Sequence, residues 1–573
     1  MRPSTAAALQ IVQTCEYLPL ILAAILCSPQ GVQMKRTAAG LLFLLFVAAA
    51  SAQSPINIAN IKIRVERPDR VRDPVTPGSS NCFDGKDNIF NEIEITPGTF
   101  YGYTANGSKT PTVASTCFAK GGQPYGMGST ASGSFGPTIY PSNHYDSTAG
   151  YGSCGLWLQG TYLSGTTYYG FAHAEGFSSA FPSQRQCTYP PTTKSMALLT
   201  SSDGMNWSLQ GQIISNPNGD SSGTEFGEGD CSPVPFSGFV YLYCRRTSDF
   251  KTSVARASNT SNFTQSNWVK YNGSWSPGAA WNADDSPLGS YGNSSSLFTD
   301  PGTGNQTIVL MNDNITSTAH GLLMSFSANA TSFSSLAEPI LYEDDHTFPH
   351  ASTNGDLVVY SSAISPTDGS HSWGSSGYFL LTYTYVPNQN DSGAANSPSP
   401  APDSGRTLVM RNLNFSVAAS AQTPHVGVAI SRWRNPDIGL RISSTEAIPY
   451  NFETPNVAYE TRSGYIMTVP PTADATQIWE CVNKTWPSTT NPDHTFTFAN
   501  SAECTGTGAG YNKLRTAGWL YNASDTQPSN TVPVYRCKST ATGYAANTHF
   551  ASTSSTCEGL GTMEFLLGYG LAN

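Results

Sequence analysis

His173 and Glu175 stand two residues apart at the end of an aromatic, β-forming run, TTYYGFAHAEGF (166–177). In a strand that spacing puts both side chains on one face. Other carboxylates and histidines stand beside apolar runs in the same way: Asp84 in CFDGKDN, Glu228 and Asp230 in GEGDCSPV, His346 and His350 in EDDHTFPHAS. Arg245 and Arg246 close the run VYLYCRR. Two carboxyl groups gathered at one cleft could cleave a glycosidic bond. One protonates the leaving oxygen while the other activates water or attacks carbon. The expected roles are Asp84 as base or nucleophile and Glu175 as acid, with Asp230 raising the pKa of that acid through like-charge proximity. Glu228 is the substitute acid. His173 and His346 orient hydroxyls or the acid, His350 joins the binding face, and Arg245 suits an acidic sugar. Each has a plainer reading: Asp84-Gly85 as a turn, His173 and Glu175 as a surface pair, the two arginines as solvated, Asp284 and Asp285 as loop residues facing water. No phosphate-cradling glycine loop, HxExxH metal spacing or GxSxG elbow is found. No metal and no cofactor is expected.

Bringing residues 84 to 350 to one place requires a repeating scaffold. Only 12% of the residues are charged, and Gly, Ser, Thr, Asn and aromatics abound, which points to short strands and tight turns and so to an all-β protein. A strand core recurs five times: Phe100–Tyr103, Tyr168–Phe171, Val240–Tyr243, Ile308–Met311 and Leu357–Tyr360, with starts 68, 72, 68 and 49 residues apart. Five units of about four short strands suit a β-propeller, whose radial repetition leaves few open sheet edges; a large β-sandwich is the alternative. In an antiparallel meander the start of the first strand and the end of the second share a face. Cys231 and Cys244 then flank one hairpin and can pair, and Asp84, Glu175, Asp230, Arg245, His346 and His350 reach a common mouth.

The pieces YYGFAHAE, SSDGMNW, GDCSPVPFSGFVYLYCRR, SVARAS and WVKYNGSW resemble successive segments of the five-bladed β-propeller glycosidases, the superfamily of arabinanases, xylosidases and invertases. The likeness covers most of residues 80–386. It implies a propeller fold and glycoside hydrolase activity. In that family the acid sits nearer the start of an inner strand, so Glu175 departs from the pattern.

Beyond the Pro/Ser/Gly-rich stretch 388–405, expected to be a flexible linker, a second repeat appears. Ile430–Trp433, Ile478–Cys481 and Val534–Cys537 each precede a short strand, and each unit closes on Gly464, Gly518 or Gly568. Cys481 and Cys504 fall in the second unit, Cys537 and Cys557 in the third, and the first unit lacks both members, as pairing within units requires. The pattern resembles a three-repeat β-trefoil module of unknown function. Its recurrent aromatics (Trp433, Trp479, Tyr535, Tyr465, Trp519, Tyr569) read as core, or as a sugar-binding surface together with His494 and His549. The expected domains are a presequence over 1–52, a propeller over 60–387, the linker over 388–405 and a trefoil over 406–573.

Met34-Lys35-Arg36, the apolar run Leu41–Ala50 and Ala50-Ser51-Ala52 have the form of a signal peptide starting at Met34. About ten apolar residues are too few to span a bilayer. A secreted, extracellular, cell-wall-associated chain is expected, with no membrane insertion of the mature protein. Export fits disulfide use of the cysteines, the pairing of Cys82, Cys117, Cys154 and Cys187 being left open. It also fits N-glycosylation at sequons including Asn106, Asn206, Asn262, Asn272, Asn305, Asn314, Asn329, Asn414, Asn483 and Asn522. A net charge of −10 without a basic block argues against nucleic acid. The expected partner is a polysaccharide or glycan, bound by a monomer. A lectin-like binding protein and a cell-wall structural protein are the alternatives.

Overall fold

The structure is a computed structural model. It describes residues 56–70, 89–97, 99–105, 116–121, 155–177, 192–219, 225–313, 321–342, 357–374, 377–386, 407–437, 439–445, 458–484, 493–505, 509–543 and 546–572. Asp84, His346, His350, Cys82, the Cys117 side chain, Cys154, Cys187, the presequence and the stretch 388–405 lie outside the described residues. Among the described residues no helix is long and apolar enough to cross a membrane. The described chain is nearly all β.

A first strand, β1 (Ile61–Arg70), is followed by four antiparallel meanders. The first is β2 (Asn91–Thr96), β3 (Thr99–Ala105) and β4 (Thr116–Gly121). The second is β5 (Gly155–Ser164), β6 (Thr167–Phe177), β7 (Thr192–Ser201) and β8 (Ser208–Ile214). The third is β9 (Glu225–Phe236), β10 (Phe239–Arg246), β11 (Thr252–Ser258) and the short β12 (Val269–Lys270) and β13 (Ala279–Ala280). The fourth is β14 (Ser294–Thr299), β15 (Gln306–Asn312), β16 (Leu323–Ser327) and β17 (Ser334–Ser335). A fifth sheet follows β18 (Leu357–Ile364) and the two-residue β19 (Ser372–Trp373), which pairs with β14. It runs β18, β20 (Tyr378–Val386), β21 (Thr407–Val417), and then back to β1. The first strands touch in cyclic order: β2 meets β5, β5 meets β9, β9 meets β14, β14 meets β18, and β18 meets β2.

Side-chain alternation explains the ring. On β10, Val240 and Leu242 pack with Phe171, Met196 and Leu198 of the second meander. Tyr241 and Tyr243 point the other way, onto Leu297, Ile308 and Leu310 of the fourth. A strand that packs on both faces needs apolar residues at every position, so the runs read as continuous and not alternating. Pro233 and Pro235 on β9 fit the same frame, because a first strand has one edge that donates to no ladder. At the crowded centre a Cβ on Gly160 would lie 2.2 Å from Pro233 Cδ.

Two expectations are corrected here. The fifth recurring core, Leu357–Tyr360, is a first strand, whereas the other four cores are second strands. The second strand of the fifth sheet is β20, and Leu380 lies 72 residues after Ile308, which restores the period. The stretch 388–405 does not separate two independently tethered bodies. The strands on either side of it are ladder neighbours, Tyr385 opposite Thr407.

Three similar units follow: β22 (Val426–Asn435), β23 (Leu440–Ser444) and β24 (Ala458–Met467); β25 (Thr476–Asn483), β26 (His494–Phe498) and β27 (Tyr511–Leu520); β28 (Thr531–Ser539), β29 (His549–Ser552) and β30 (Gly561–Leu571). In each unit the first strand pairs with the other two. The last strands of the units meet at Met467–Trp519, Tyr521–Tyr569 and Tyr465–Leu571. Disulfides Cys481–Cys504 and Cys537–Cys557 each close within a unit, and Trp433 fills the corresponding place in the first, buried. Residues Pro55–Asn573 form one compact unit. β22 runs parallel to β1, one apolar core includes Tyr385, Val409 and Leu413 with Ile466, Ile478 and Phe496, and Arg515 donates to the Tyr385 hydroxyl at 2.5 Å.

Candidate active site

The ends of β6 and β10 and the starts of β7 and β9 lie on one face of the ring. β7 and β9 begin side by side, Lys194 opposite Gly227, and β6 and β10 end against those starts, Glu175 opposite Lys194 and Arg245 opposite Gly229. His173 and Glu175 emerge there as a pair, Nε2 to Oε1 at 3.4 Å. The main-chain N–H of Asp230 donates to His173 Nδ1 at 3.0 Å. A backbone N–H can only donate, so Nδ1 accepts and the ring proton resides on Nε2, aimed at Glu175. The Asp230 carboxylate, 3.7 Å from Nδ1, receives Gln159 Nε2 at 3.3 Å. One imidazole thus stands between two carboxylates from different meanders. The two contacts and the ring width cap their separation at about 9 Å, within the reach of glycosidase carboxylate pairs, about 5–9.5 Å. His173 and Glu175 are nearly covered, while the Asp230 side chain keeps 21% of its surface open.

Cations frame these acids. Lys194 pairs with Glu225 at 2.9 Å. Burial works against its charge, but Glu225, Glu175 and Asp230 outweigh burial and hold its pKa above the ordinary lysine value. Arg245 donates to Asp313 at 2.7 Å and to Asn293 at 3.3 Å. Burial likewise disfavours its charge, and Asp313 with Asp230 more than compensates. Asn293 also donates to the Asp230 carbonyl, and Asp313 accepts the N–H of Tyr360 at 3.1 Å. Residues of the second, third and fourth meanders, with the N–H of Tyr360 on β18, therefore meet on one face.

The local backbone explains which residues arrive. Between Ser232–Tyr243 and Gly229–Arg245 the β9–β10 register slips, so Asp230 and Cys231 together oppose Cys244. Asp230 takes φ +52°, an uncommon left-handed conformation for a residue other than glycine. This bulge re-aims Asp230 into the mouth, and Cys231 and Cys244 form the expected disulfide beside it. The same bulge removes Glu228 from the mouth, correcting its assignment as substitute acid. Its carboxylate is fully buried against Lys270 at 2.7 Å and Ser253 at 2.9 Å.

Arg245 and Arg246 are not solvated. Arg245 enters the mouth, whereas Arg246 turns the other way, 3.3 Å from Asp285. Asp284 faces water, but the Asp285 side chain is fully buried. Burial first, then Glu228, raises the Asp285 pKa to about 7. The recurrent histidines of the three-unit module are inside it: His494 contacts Glu480 at 3.1 Å, and His549 contacts Asp493 at 2.6 Å. Gln159, Lys194, Asn293 and Asp313 are additions that the sequence did not single out. Lys194 had a legible signal, since in antiparallel register TTKSMALL sets it directly opposite Glu175.

No protein-family model matches the chain, and no curated protein matches it. Solved structures similar to it include a family 117 glycoside hydrolase from Zobellia galactanivorans, at 11% identity and TM-score 0.35, over 64% of this chain and 94% of that one. An α-L-arabinofuranosidase from Podospora anserina aligns at 9% identity and TM-score 0.37, over 62% and 98%. The catalytic domain of a family 62 α-L-arabinofuranosidase from Coprinopsis cinerea aligns at 11% and 0.38, over 63% and 99%.

Proposed function

We propose that the chain is a secreted, glycosylated, carbohydrate-active protein: a five-bladed β-propeller with a fixed three-repeat β-trefoil, hydrolysing glycosidic bonds of a poly- or oligosaccharide at the mouth. The observation that carries this is the meeting of Glu175 and Asp230, from different sheets, across one histidine. The cyclic contact of five first strands supports the propeller, and disulfides support an oxidising, extracellular setting. His173 Nε2 stands 3.4 Å from Glu175 Oε1, and Lys194 lies opposite Glu175 across the β6–β7 ladder. In this reading Glu175 is the acid and Asp84 the base or nucleophile. Asp230 aligns His173 and shares the substrate face.

A second reading, a glycan-binding protein without turnover, is favoured by one observation: the described carboxylates of the mouth are each engaged by a protein partner, Glu225 by Lys194, Asp313 by Arg245, and Glu175 and Asp230 by His173. Incubation with a polysaccharide panel, followed by reducing-end release and pull-down, decides between the two. Hydrolysis expects release that falls at least a hundredfold in Glu175→Gln and Asp84→Asn while pull-down persists. Pull-down without release would establish the binding protein, and neither signal would remove both.

A further inference from the structure

The junctions between the three C-terminal units are not used alike. At the junction of the first and second units the Thr445 carbonyl accepts from Arg411 at 2.7 Å, and Arg515 reaches Tyr385, so the fifth sheet covers it. At the junction of the second and third units a cavity of about 340 Å³ is open to solvent, lined by Thr476, Gln477, Phe498, Asn522, Leu566, Leu567 and neighbouring small residues. None of its lining residues is charged.

Phe498 is out of place for a structural residue. By strand register its counterparts are Thr445 in the first unit and Thr553 in the third, so the fold does not need an aromatic there. It is nonetheless 38% exposed and rigidly backed: its ring stacks on Phe565 at 5.2 Å, and Phe565 is held by Arg536 at 5.2 Å, itself fixed by Glu503 and Glu564. The side chains of Thr476 and Gln477 have no hydrogen-bond partner among the described residues. A flat apolar ring beside unspent hydroxyl and amide groups, with no charge, matches a pyranose or furanose: one face of C–H bonds, hydroxyls at the edge. A phosphate, uronate or peptide carboxylate would find no cation.

We infer that this cavity is a second carbohydrate site, distinct from the mouth, which takes one or two residues of an uncharged glycan with a sugar face on Phe498 and hydroxyls on Gln477, Thr476 and Asn522. It stands independently of whether the mouth hydrolyses anything. Because Asn522-Ala523-Ser524 is a sequon, a glycan attached at Asn522 is the rival occupant.

The test uses full-length protein carrying Ser524→Ala, which keeps Asn522 unmodified. Affinity electrophoresis and calorimetry with neutral xylan, arabinan, β-glucan and mannan, against polygalacturonate as the charged control, read binding. A neutral glycan binds, Phe498→Ala weakens it at least tenfold, Gln477→Ala weakens it severalfold, and Phe498→Tyr restores it, while reducing-end release from short soluble substrates stays at the parent level. Unchanged binding in both Phe498→Ala and Gln477→Ala would overturn the assignment, as would preference for polygalacturonate. Mass spectrometry of the exported parent chain showing Asn522 fully glycosylated would overturn it as well, since the cavity would already be filled.

Discussion

Gly229→Ala isolates the role of His173 without touching a reacting group. Gly229 is not at positive φ, so alanine suits the backbone. Its Cβ, however, would stand 2.3 Å from His173 Nδ1 and 2.5 Å from Cε1, where ordinary contact begins at 3.4 Å. The ring has to retreat by roughly 1 Å, a displacement that in a reacting constellation costs about 10²-fold in rate. The move breaks the Asp230 N–H bond to Nδ1 and swings Nε2 away from Glu175. Overpacking of this kind costs about 1–3 kcal/mol of stability, which leaves the protein folded. Gly510→Ala is the control, because its Cβ meets nothing within 4 Å. The assay is turnover or binding on the best substrate of the panel, with thermal melting alongside. Gly229→Ala with parental activity would refute the claim that a fixed imidazole aligns the two carboxylates.

Three further outcomes follow from other parts of the molecule. Glu92, buried at the seam where Gly369 of the fifth sheet approaches it, has both carboxyl oxygens without hydrogen-bond partners among the described residues, and burial holds its pKa well above the ordinary 4.5. The folded state keeps a proton that the unfolded chain gives up, so stability falls as pH rises past that ordinary value. Glu92→Gln should raise the thermal midpoint at pH 7, with the gain vanishing near pH 4. Lys194→Met removes a cation that interacts with Glu175, so whichever limb of the pH–rate profile Glu175 governs should move to higher pH; unmoved limbs would leave Glu175 without a titrating role. Breaking Cys481–Cys504, which closes 23 residues of chain, should cost about 3 kcal/mol, read by denaturant unfolding of Cys481→Ser/Cys504→Ser.

How much was visible in the sequence follows from the range of the interactions. Strand cores such as Tyr168–Phe171 and Val240–Tyr243 announce themselves because each is apolar on both faces. The C-terminal units announce themselves through recurring glycines and paired cysteines. His173 with Glu175 needed only strand periodicity. The errors arose where periodicity breaks or contacts are long-range. Asp230 at φ +52° and the slipped register send Glu228 and Asp230 to different surroundings, although two-residue spacing puts them on one face. The pairing of β1 with β21 joins Ile61 to Val417, and no local pattern announces that. Asn293 and Asp313 carry no motif of their own. They enter the mouth only because the ring brings them to Arg245.

The most direct test of the account is an oligosaccharide complex of the slow Glu175→Gln variant, with the ligand taken from the panel and the structure determined by crystallography. A sugar in the mouth, with its scissile oxygen or anomeric carbon within hydrogen-bonding reach of residue 175 and hydroxyls on Asp230 or Arg245, is the predicted result. A sugar seated elsewhere, with His173, Glu175 and Asp230 untouched, would contradict it.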